Sequence, residues 1–166
     1  MLVAAALAIV ALAALASGAG ADPAAAIQAV PEEAARPHGV YVDLFGKGGL
    51  WGLGYDWRPI ERFALGAVGS YYLVGGDKYL TLSPYLALYP IAGARHGWFV
   101  HLGPQLVRRT VSSPGPEWSG LTTTAFAAEL GSGWEYRNRV LVRVYGMAAI
   151  SERVVPGLGV SLGWTL

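Results

Sequence analysis

From Gly39 onward, large apolar residues alternate with small or polar residues in a succession of short segments. Successive side chains of a β-strand point to opposite faces, so alternation with a period of two is typical of strands. Glycine, proline, asparagine and arginine interrupt the alternation at intervals, as turns do. The pattern predicts eight strands, at approximately 40–46, 50–57, 63–74, 79–89, 98–107, 121–136, 140–150 and 157–166.

The connections between these segments are short, and no helical period of useful length follows residue 38. Short hairpins predict an antiparallel meander, and eight strands are enough for such a sheet to close into a barrel without exposed edges. The glycine pair after the first strand is typical of a two-residue turn, because such turns need positive φ. That turn predicts Asp43 opposite Gly54, and the three-residue turn "RNR" predicts Tyr136 opposite Val140, so that each pair shares one face.

Dividing each predicted strand by parity separates two faces of different polarity. One face carries large apolar side chains and no ionisable group, whereas the other carries glycine, alanine and the charged residues of the strands. Only 14% of all residues are charged and 54% are hydrophobic, too few charges to cover a water-facing exterior. The apolar face is therefore predicted to point toward lipid. The predicted fold class is an all-β, eight-stranded antiparallel up-and-down transmembrane β-barrel over residues 39–166.

The small polar face is predicted to line the interior. An eight-stranded barrel is barely wide enough for its own side chains, so paired charges are expected to plug the lumen. Arg143 lies diagonally across the predicted "RNR" hairpin from Glu135 and is its natural partner. A water-filled lumen with four carboxylates and one arginine would instead favour cations, which keeps a narrow channel as an alternative. The predicted lumen network comprises Asp43, Asp56, His101, Gln105, Glu129, Glu135 and Arg143.

An even number of strands places both ends of the barrel on one side, the periplasmic side for a secreted bacterial barrel. Aromatic residues share the outward parity at that side, which predicts an interfacial girdle, because amphipathic rings favour the headgroup boundary. The predicted girdle comprises Trp57, Phe63, Trp98, Trp134, Tyr136 and Trp164. The turns on this side could contact lipid phosphates or a periplasmic partner, or be ordinary solvated turns, through Arg58, Arg62, Arg95, Arg137 and Arg139.

Residues 1–21 are uncharged and rich in alanine, and they end with small residues at Ala19 and Ala21. This pattern predicts a secretory signal peptide cleaved after Ala21. No lysine or arginine precedes the apolar stretch, so two alternatives stay open: a true start upstream of Met1, or an uncleaved anchor helix. Residues 22–38 contain three prolines and no alternation, so we interpret them as a periplasmic linker.

The candidate chemistry is sparse. A net charge of +1 without a basic run argues against nucleic acid as a partner. The absence of cysteine excludes thiolate catalysis and cysteine-based zinc sites, and the three histidines have no ligand spacing, so no metal and no cofactor is predicted. Ser83, His101 and Glu129 share the inward face, but nothing in the sequence fixes their mutual geometry, and a polar network is the preferred interpretation over a catalytic triad.

The overall architecture resembles the small eight-stranded outer-membrane proteins of Gram-negative bacteria, which include the OmpA membrane domain, OmpX, OmpW and the lipid A deacylase PagL. The resemblance covers residues 39–166 and rests on the alternating strands, on "SPYLALY" and "GPQLV" in mid-chain strands, and on an amphipathic last strand. It implies that the barrel assembly machinery reads the last strand. The residues matching that signal are Leu158, Val160, Leu162, Trp164 and Leu166, although the final residue of such proteins is usually aromatic.

The resemblance also implies a place in the outer membrane after secretion to the periplasm, with membrane lipid including lipopolysaccharide as a partner and a monomeric state. PagL-type enzymes carry His-x-Ser-Asn on a strand, whereas "VHLGPQ" around His101 lacks the serine and the asparagine. We therefore expect a non-enzymatic protein with a structural or interaction role, whose loop "TVSSPGPEWSG" exposes Trp118. The alternatives are a narrow channel, a lipid-modifying enzyme and a secreted soluble ligand-binding barrel.

Overall fold

Eight antiparallel strands follow one another around a closed barrel in chain order. The structure is a computed structural model and describes residues 36–111 and 120–166. The strands are β1 (His38–Leu44), β2 (Trp51–Ile60), β3 (Phe63–Val74), β4 (Asp77–Ala92), β5 (His96–Thr110), β6 (Thr122–Arg137), β7 (Val140–Ile150) and β8 (Val154–Thr165). In the described part of the chain, no helix is long and apolar enough to cross a membrane.

The barrel closes where β1 pairs with β8, from Gly39 opposite Thr165 to Leu44 opposite Val160. Closure gives β1 and β8 partners on both sides, which removes the sheet edges that would otherwise pair with other chains. The predicted all-β, eight-stranded antiparallel barrel is confirmed. We call the end that holds His38 and the end of β8 the terminal end, and the opposite end, which holds the β1–β2 connection, the loop end.

The predicted register is wrong by two residues in two hairpins. Asp43 lies opposite Gly52 and not Gly54, because residues 45–50 form a longer connection than the two-residue glycine turn that the sequence suggests. Tyr136 lies opposite Val142 and not Val140. A shift of two residues preserves parity, so both errors leave the assignment of faces intact.

Small residues on the inward face make room for buried tyrosine rings. A β-carbon added to Gly54 would lie 2.1 Å from Cε2 of Tyr41, and one added to Gly159 would lie 2.3 Å from Cζ of Tyr145. Both tyrosines are 2% exposed. The alternation of large and small residues along β8 therefore reflects a lumen already filled by side chains from other strands.

Several predictions fall on residues outside the part of the chain that the structure describes. They are the signal peptide at 1–21, the linker as far as residue 35, and Trp118 of the β5–β6 connection, where residues 112–119 are not described.

Candidate functional site

Four carboxylates lie buried inside the barrel at inward positions of β1, β2 and β6. None of them is more than 2% exposed. Burying a carboxylate is costly unless it is paired or hydrogen-bonded, so each needs donors within the lumen. The four are Asp43, Asp56, Glu129 and Glu135.

The carboxylates nearer the terminal end are joined by Arg143 of β7. Its Nε donates to Oε2 of Glu135 at 2.5 Å, and its Nη2 donates to Oδ2 of Asp56. Arg143 lies directly opposite Glu135 in the β6–β7 ladder, whereas the sequence predicts a diagonal neighbour. Tyr85 completes the group, because its hydroxyl accepts from Nη1 of Arg143 at 3.1 Å. One guanidinium thus binds two carboxylates that come from different strands.

Two more arginines enter this group from strand ends at the terminal end. Nη1 of Arg137 donates to Oδ1 of Asp56 at 2.9 Å, and Nη1 of Arg58 donates to Oε1 of Glu135 at 3.1 Å. The Arg58 guanidinium also lies 4.0 Å from the centroid of the Tyr89 ring, within reach of a cation–π interaction.

Neither interpretation of the turn arginines, contact with lipid phosphates or a periplasmic partner on one hand and ordinary solvation on the other, is therefore right for Arg58 and Arg137. Arg137 is 9% exposed, and the Arg58 side chain is 11% exposed. Both arginines continue the inward parity of their strands, two positions beyond Asp56 and Glu135, and this signal was present in the sequence. The other turn arginines, Arg62, Arg95 and Arg139, are exposed at the terminal end.

The loop end of the lumen is closed by the β1–β2 connection, which folds inward. Lys47 is only 1% exposed, although it lies in a connection between two strands. Its carbonyl oxygen accepts from Oγ of Ser83 at 2.9 Å and from Nε2 of Gln105 at 3.0 Å. The carbonyl of Gly48 accepts from Oγ of Ser70 at 2.6 Å. Strand periodicity could not have found Lys47, because the residue lies between strands.

Lys47 also joins β4 and β5 where their ladder is interrupted. Paired positions stop at Leu82 opposite Leu106 and resume at Leu86 opposite Leu102, without a change of register. This register places Pro84 opposite Pro104 at the centre of the interruption, and proline has no N–H to donate to a ladder. The Ser83 and Gln105 side chains, one from each strand, reach the same Lys47 carbonyl from this interval.

Asp43 of β1 receives hydrogen bonds across the barrel closure, from side chains of β7 and β8. The hydroxyls of Tyr145 and Ser161 each donate to its Oδ1 at 2.7 Å. Among the ion pairs of the described residues, none involves Asp43. The nearby cation is the ammonium of Lys47, which lies over the rings of Tyr145 and Tyr85.

Glu129 pairs with His101 across the β5–β6 strands, with Oε1 and Nε2 separated by 3.0 Å. His101 Nδ1 and Glu129 Oε2 are buried without a hydrogen-bond partner. Ser83 directs its hydroxyl to the Lys47 carbonyl. Within the described ranges, no group of three or more histidine or acidic side chains is placed to hold a metal ion.

The charges inside the barrel balance. The sequence predicts four carboxylates and one arginine, but Lys47, Arg58 and Arg137 also enter, which gives four cations for the four carboxylates. The seven predicted lumen residues all lie on the inward face, and all but Gln105 are buried. Gln105 is half-buried and bonded to the Lys47 carbonyl.

The residues predicted for the girdle and for the assembly signal lie on the outside of the barrel. Trp57, Trp98 and Trp164 are exposed, whereas Phe63, Trp134 and Tyr136 are partly covered by neighbours. Along β8 and just after it, the outward positions are Leu158, Val160, Leu162, Trp164 and Leu166, all exposed except the partly covered Val160. Their roles in the interface and in assembly stay predictions.

No family model matches the chain, and no curated protein matches it. Solved structures do match. The N-terminal β-barrel domain of Pseudomonas aeruginosa OprF is similar at 13% identity with a TM-score of 0.61, over 78% of this chain and 95% of that chain. The Yersinia pestis attachment invasion locus protein Ail is similar at 10% identity with a TM-score of 0.49, over 78% of this chain and 93% of that chain. The likeness to the OprF domain shows that this chain has the barrel fold of small outer-membrane proteins.

Proposed function

We propose that this chain is an outer-membrane β-barrel protein of a Gram-negative envelope, with a structural or interaction role and a closed, non-catalytic interior. The observation that carries the proposal is the inverted polarity of the barrel. Positive and negative charges lie inside in equal number, and large apolar side chains such as Leu53, Phe126 and Leu158 lie exposed outside. Lipid is the solvent that such an exterior requires.

A soluble ligand-binding barrel is the alternative that this polarity opposes most strongly. Such a barrel would bury its large apolar residues around a ligand and expose charges. Moving one large apolar side chain out of water stabilises a protein by about 1.5–3 kcal/mol, and the exposed outward residues of the strands forgo this gain in water. In a bilayer the same residues contact hydrocarbon, so their exposure no longer costs free energy.

The contacts within the lumen argue against an open channel. Arg143, Asp56 and Glu135 form continuous hydrogen-bonded contacts across the interior. The β1–β2 connection fills the loop end, where its backbone accepts hydrogen bonds from β3, β4 and β5. A closed plug is therefore the better proposal, and a narrow channel remains the second candidate.

The burial of the candidate catalytic side chains argues against a lipid-modifying enzyme. Ser83 is 1% exposed and His101 is fully buried, beneath the β1–β2 connection. A hydrolase needs its nucleophile within reach of the substrate, and the Ser83 hydroxyl instead donates to a backbone carbonyl. We accordingly propose no catalytic residue and no cofactor.

The proposal includes location and partners. After secretion to the periplasm, the barrel assembly machinery would insert the chain as a monomer, and lipopolysaccharide and phospholipid would contact the outward face. The turn arginines at the terminal end, among them Arg62 and Arg139, are placed to meet lipid phosphates if that end lies at a headgroup boundary.

Fractionation of cells that express the tagged chain tests the proposal directly. The protein should sediment with outer membranes and resist extraction by carbonate. After purification in detergent it should migrate faster on a cold gel than after boiling, because the closed barrel stays compact. Recovery of a folded monomer from the soluble fraction without detergent would contradict the proposal, and single-channel current in planar bilayers would favour the channel.

A further inference from the structure

Two cations lie side by side on the outward face of the barrel at its loop end. Lys78 of β4 is opposite Thr110 and Arg108 of β5 is opposite Leu80, so the two cations are diagonal neighbours on one face. Both side chains are exposed. Diagonal neighbours in a sheet are about 7–8 Å apart at the backbone, and both side chains are long enough to reach a common group between them.

No acidic side chain of the described strands offsets this positive charge on the outward face, because every acidic residue in those strands has inward parity. Lys78 and Arg108 enter none of the ion pairs of the described residues. The next residue of β5 differs, because Arg109 has the opposite parity and pairs with Asp77. Two like charges at close range repel each other, so an anion bound between Lys78 and Arg108 would be stabilising.

The same wall is apolar one row nearer the middle of the barrel. Leu82, Leu106 and Phe126 lie opposite one another on β4, β5 and β6, two residues along from the row that contains Arg108. Phe126 is 70% exposed and Leu82 is 48% exposed. This row offers an apolar surface to acyl chains directly beside the cations.

Hydroxyl groups continue the polar row on β6. Thr124 lies opposite Arg108, and Thr122 lies opposite Thr110. The hydroxyls of Thr110 and Thr122 are 3.3 Å apart. The outward wall therefore changes from hydrocarbon to cations and hydroxyls within a few residues, as a bilayer does between its acyl chains and its headgroups.

The cations also lie at the height expected for a headgroup boundary. Arg108 follows Trp98 of the predicted girdle by ten residues along β5. Strand residues rise about 3.3–3.4 Å each, and a strand tilt of about 35–45° leaves about 23–28 Å of this length along the barrel axis. The apolar band of an outer-membrane barrel is about 25 Å tall. With Trp98 at the periplasmic boundary, Arg108 reaches the opposite one.

We propose that Lys78 and Arg108 form a binding site for a phosphate group of lipopolysaccharide in the outer leaflet. Arginine binds phosphate through paired donors, and lysine adds a point charge. The threonine hydroxyls lie beside the sugar headgroup, and the acyl chains lie against Leu106 and Phe126. The inference rests on the proposed function and deepens it, because it names one lipid and the residues that hold it.

Thermal unfolding in bicelles tests the site. The full chain is folded into phosphatidylcholine bicelles, and its Tm is followed while lipid A, the phosphorylated anchor of lipopolysaccharide, is added. A ligand that binds only the folded state stabilises it, so the Tm of the wild type should rise saturably. Lys78→Gln combined with Arg108→Gln should lose most of this rise. A rise in the double variant equal to that of the wild type would overturn the proposal.

A charge-matched double variant separates the site from net charge. Arg109→Gln combined with Arg153→Gln removes two positive charges from the same end of the barrel but from residues outside the site, and it should keep the rise of the wild type. Lys78→Arg combined with Arg108→Lys keeps both charges and should also respond. Equal loss in the two glutamine variants would show that net charge alone attracts the lipid and would contradict a specific site.

Two comparisons use the wild type alone and stay decisive if the variants fold poorly. Lipid A stripped of its phosphates keeps its acyl chains and should give no saturable rise, and neither should inorganic phosphate at equal concentration. An equal rise with the stripped lipid would show that acyl contact is sufficient. An equal rise with inorganic phosphate would assign the cations to a soluble anion, and either result would overturn the proposal.

Gel migration distinguishes a failure of this inference from a failure of the proposed function. If the unboiled wild type migrates as the compact form from bicelles while its Tm does not respond to lipid A, the membrane barrel stands and only the lipid site is overturned. A chain that stays outside the bicelles and is folded without detergent would overturn both.

Discussion

Arg143 and Glu135 face each other directly across the β6–β7 ladder, with Nε and Oε2 separated by 2.5 Å inside the lumen. The same guanidinium also binds Asp56 of β2, far around the barrel wall. A single arginine thereby holds together strands that share no backbone hydrogen bonds.

Removing this guanidinium should destabilise the barrel strongly. Arg143→Met keeps most of the side-chain volume but leaves Asp56 and Glu135 buried without their common partner, and breaking a buried ion pair in this way costs about 3–5 kcal/mol. Urea unfolding in micelles measures the change. Arg153→Met, in the exposed β7–β8 connection, is the matched control and should be nearly neutral. Equal effects would show that the Arg143 contacts add little to stability.

The outward face of β8 should tolerate charge near its loop end and reject it farther along the strand. Val160 and Val154 lie on the same face of β8, but Val160 pairs with Leu44 within the barrel wall, whereas Val154 begins the strand. Val160→Asp should strongly reduce the folded fraction in bilayers, and Val154→Asp should reduce it much less, because a charge near mid-membrane costs about 2–4 kcal/mol and little near the interface. The difference in migration between unboiled and boiled samples on a gel measures the folded fraction. Equal loss in both variants would contradict a lipid-facing β8.

Ser83 and Gln105 should be energetically coupled through one carbonyl. Each donates to the Lys47 oxygen, so either single alanine substitution leaves that acceptor one partner, and the loss should be about 1 kcal/mol. The double variant leaves the buried carbonyl without these donors and should lose more than the sum of the two singles. Ser161→Ala combined with Gln105→Ala is the matched control, because Ser161 donates to Asp43. Urea unfolding of all variants measures these free-energy changes. If the changes caused by Ser83→Ala and Gln105→Ala simply add in the double variant, the two side chains do not act together on the Lys47 carbonyl.

The crowding of the lumen predicts different effects for two glycines of β8. Gly159→Ala places a methyl group 2.3 Å from Cζ of Tyr145, so overpacking should cost about 1–3 kcal/mol. Gly157→Ala places it 3.5 Å from Cγ of Met147, an ordinary contact, and should be nearly neutral. Both glycines have inward parity, so the comparison isolates the ring of Tyr145. Similar thermal unfolding midpoints for the two variants would show that the lumen has more space than the structure describes.

Alternation along the chain was enough to predict the closed barrel, and parity placed Asp56 and Glu135 on its inward face. These properties are local, because the pleat of a strand sends successive side chains to opposite faces whatever the partner strand is. The register between neighbouring strands was harder to predict from the sequence. The wrong partner was predicted for Asp43 because the β1–β2 connection is longer than its glycines suggest. No local sequence pattern indicates that a connection will fold into the lumen.

The sequence by itself therefore determined the fold class and which side chains of the strands point into the lumen. Only the tertiary structure decided how those side chains are paired. Lys47 reaches Ser83 and Gln105 because strands distant in sequence converge on the same interior, and the Arg58 and Arg137 side chains are long enough to turn into that interior from the strand ends. The physical reason is that the face to which a strand side chain points depends on local covalent geometry. Charge pairing in the lumen depends instead on distances between residues that meet only when the barrel closes.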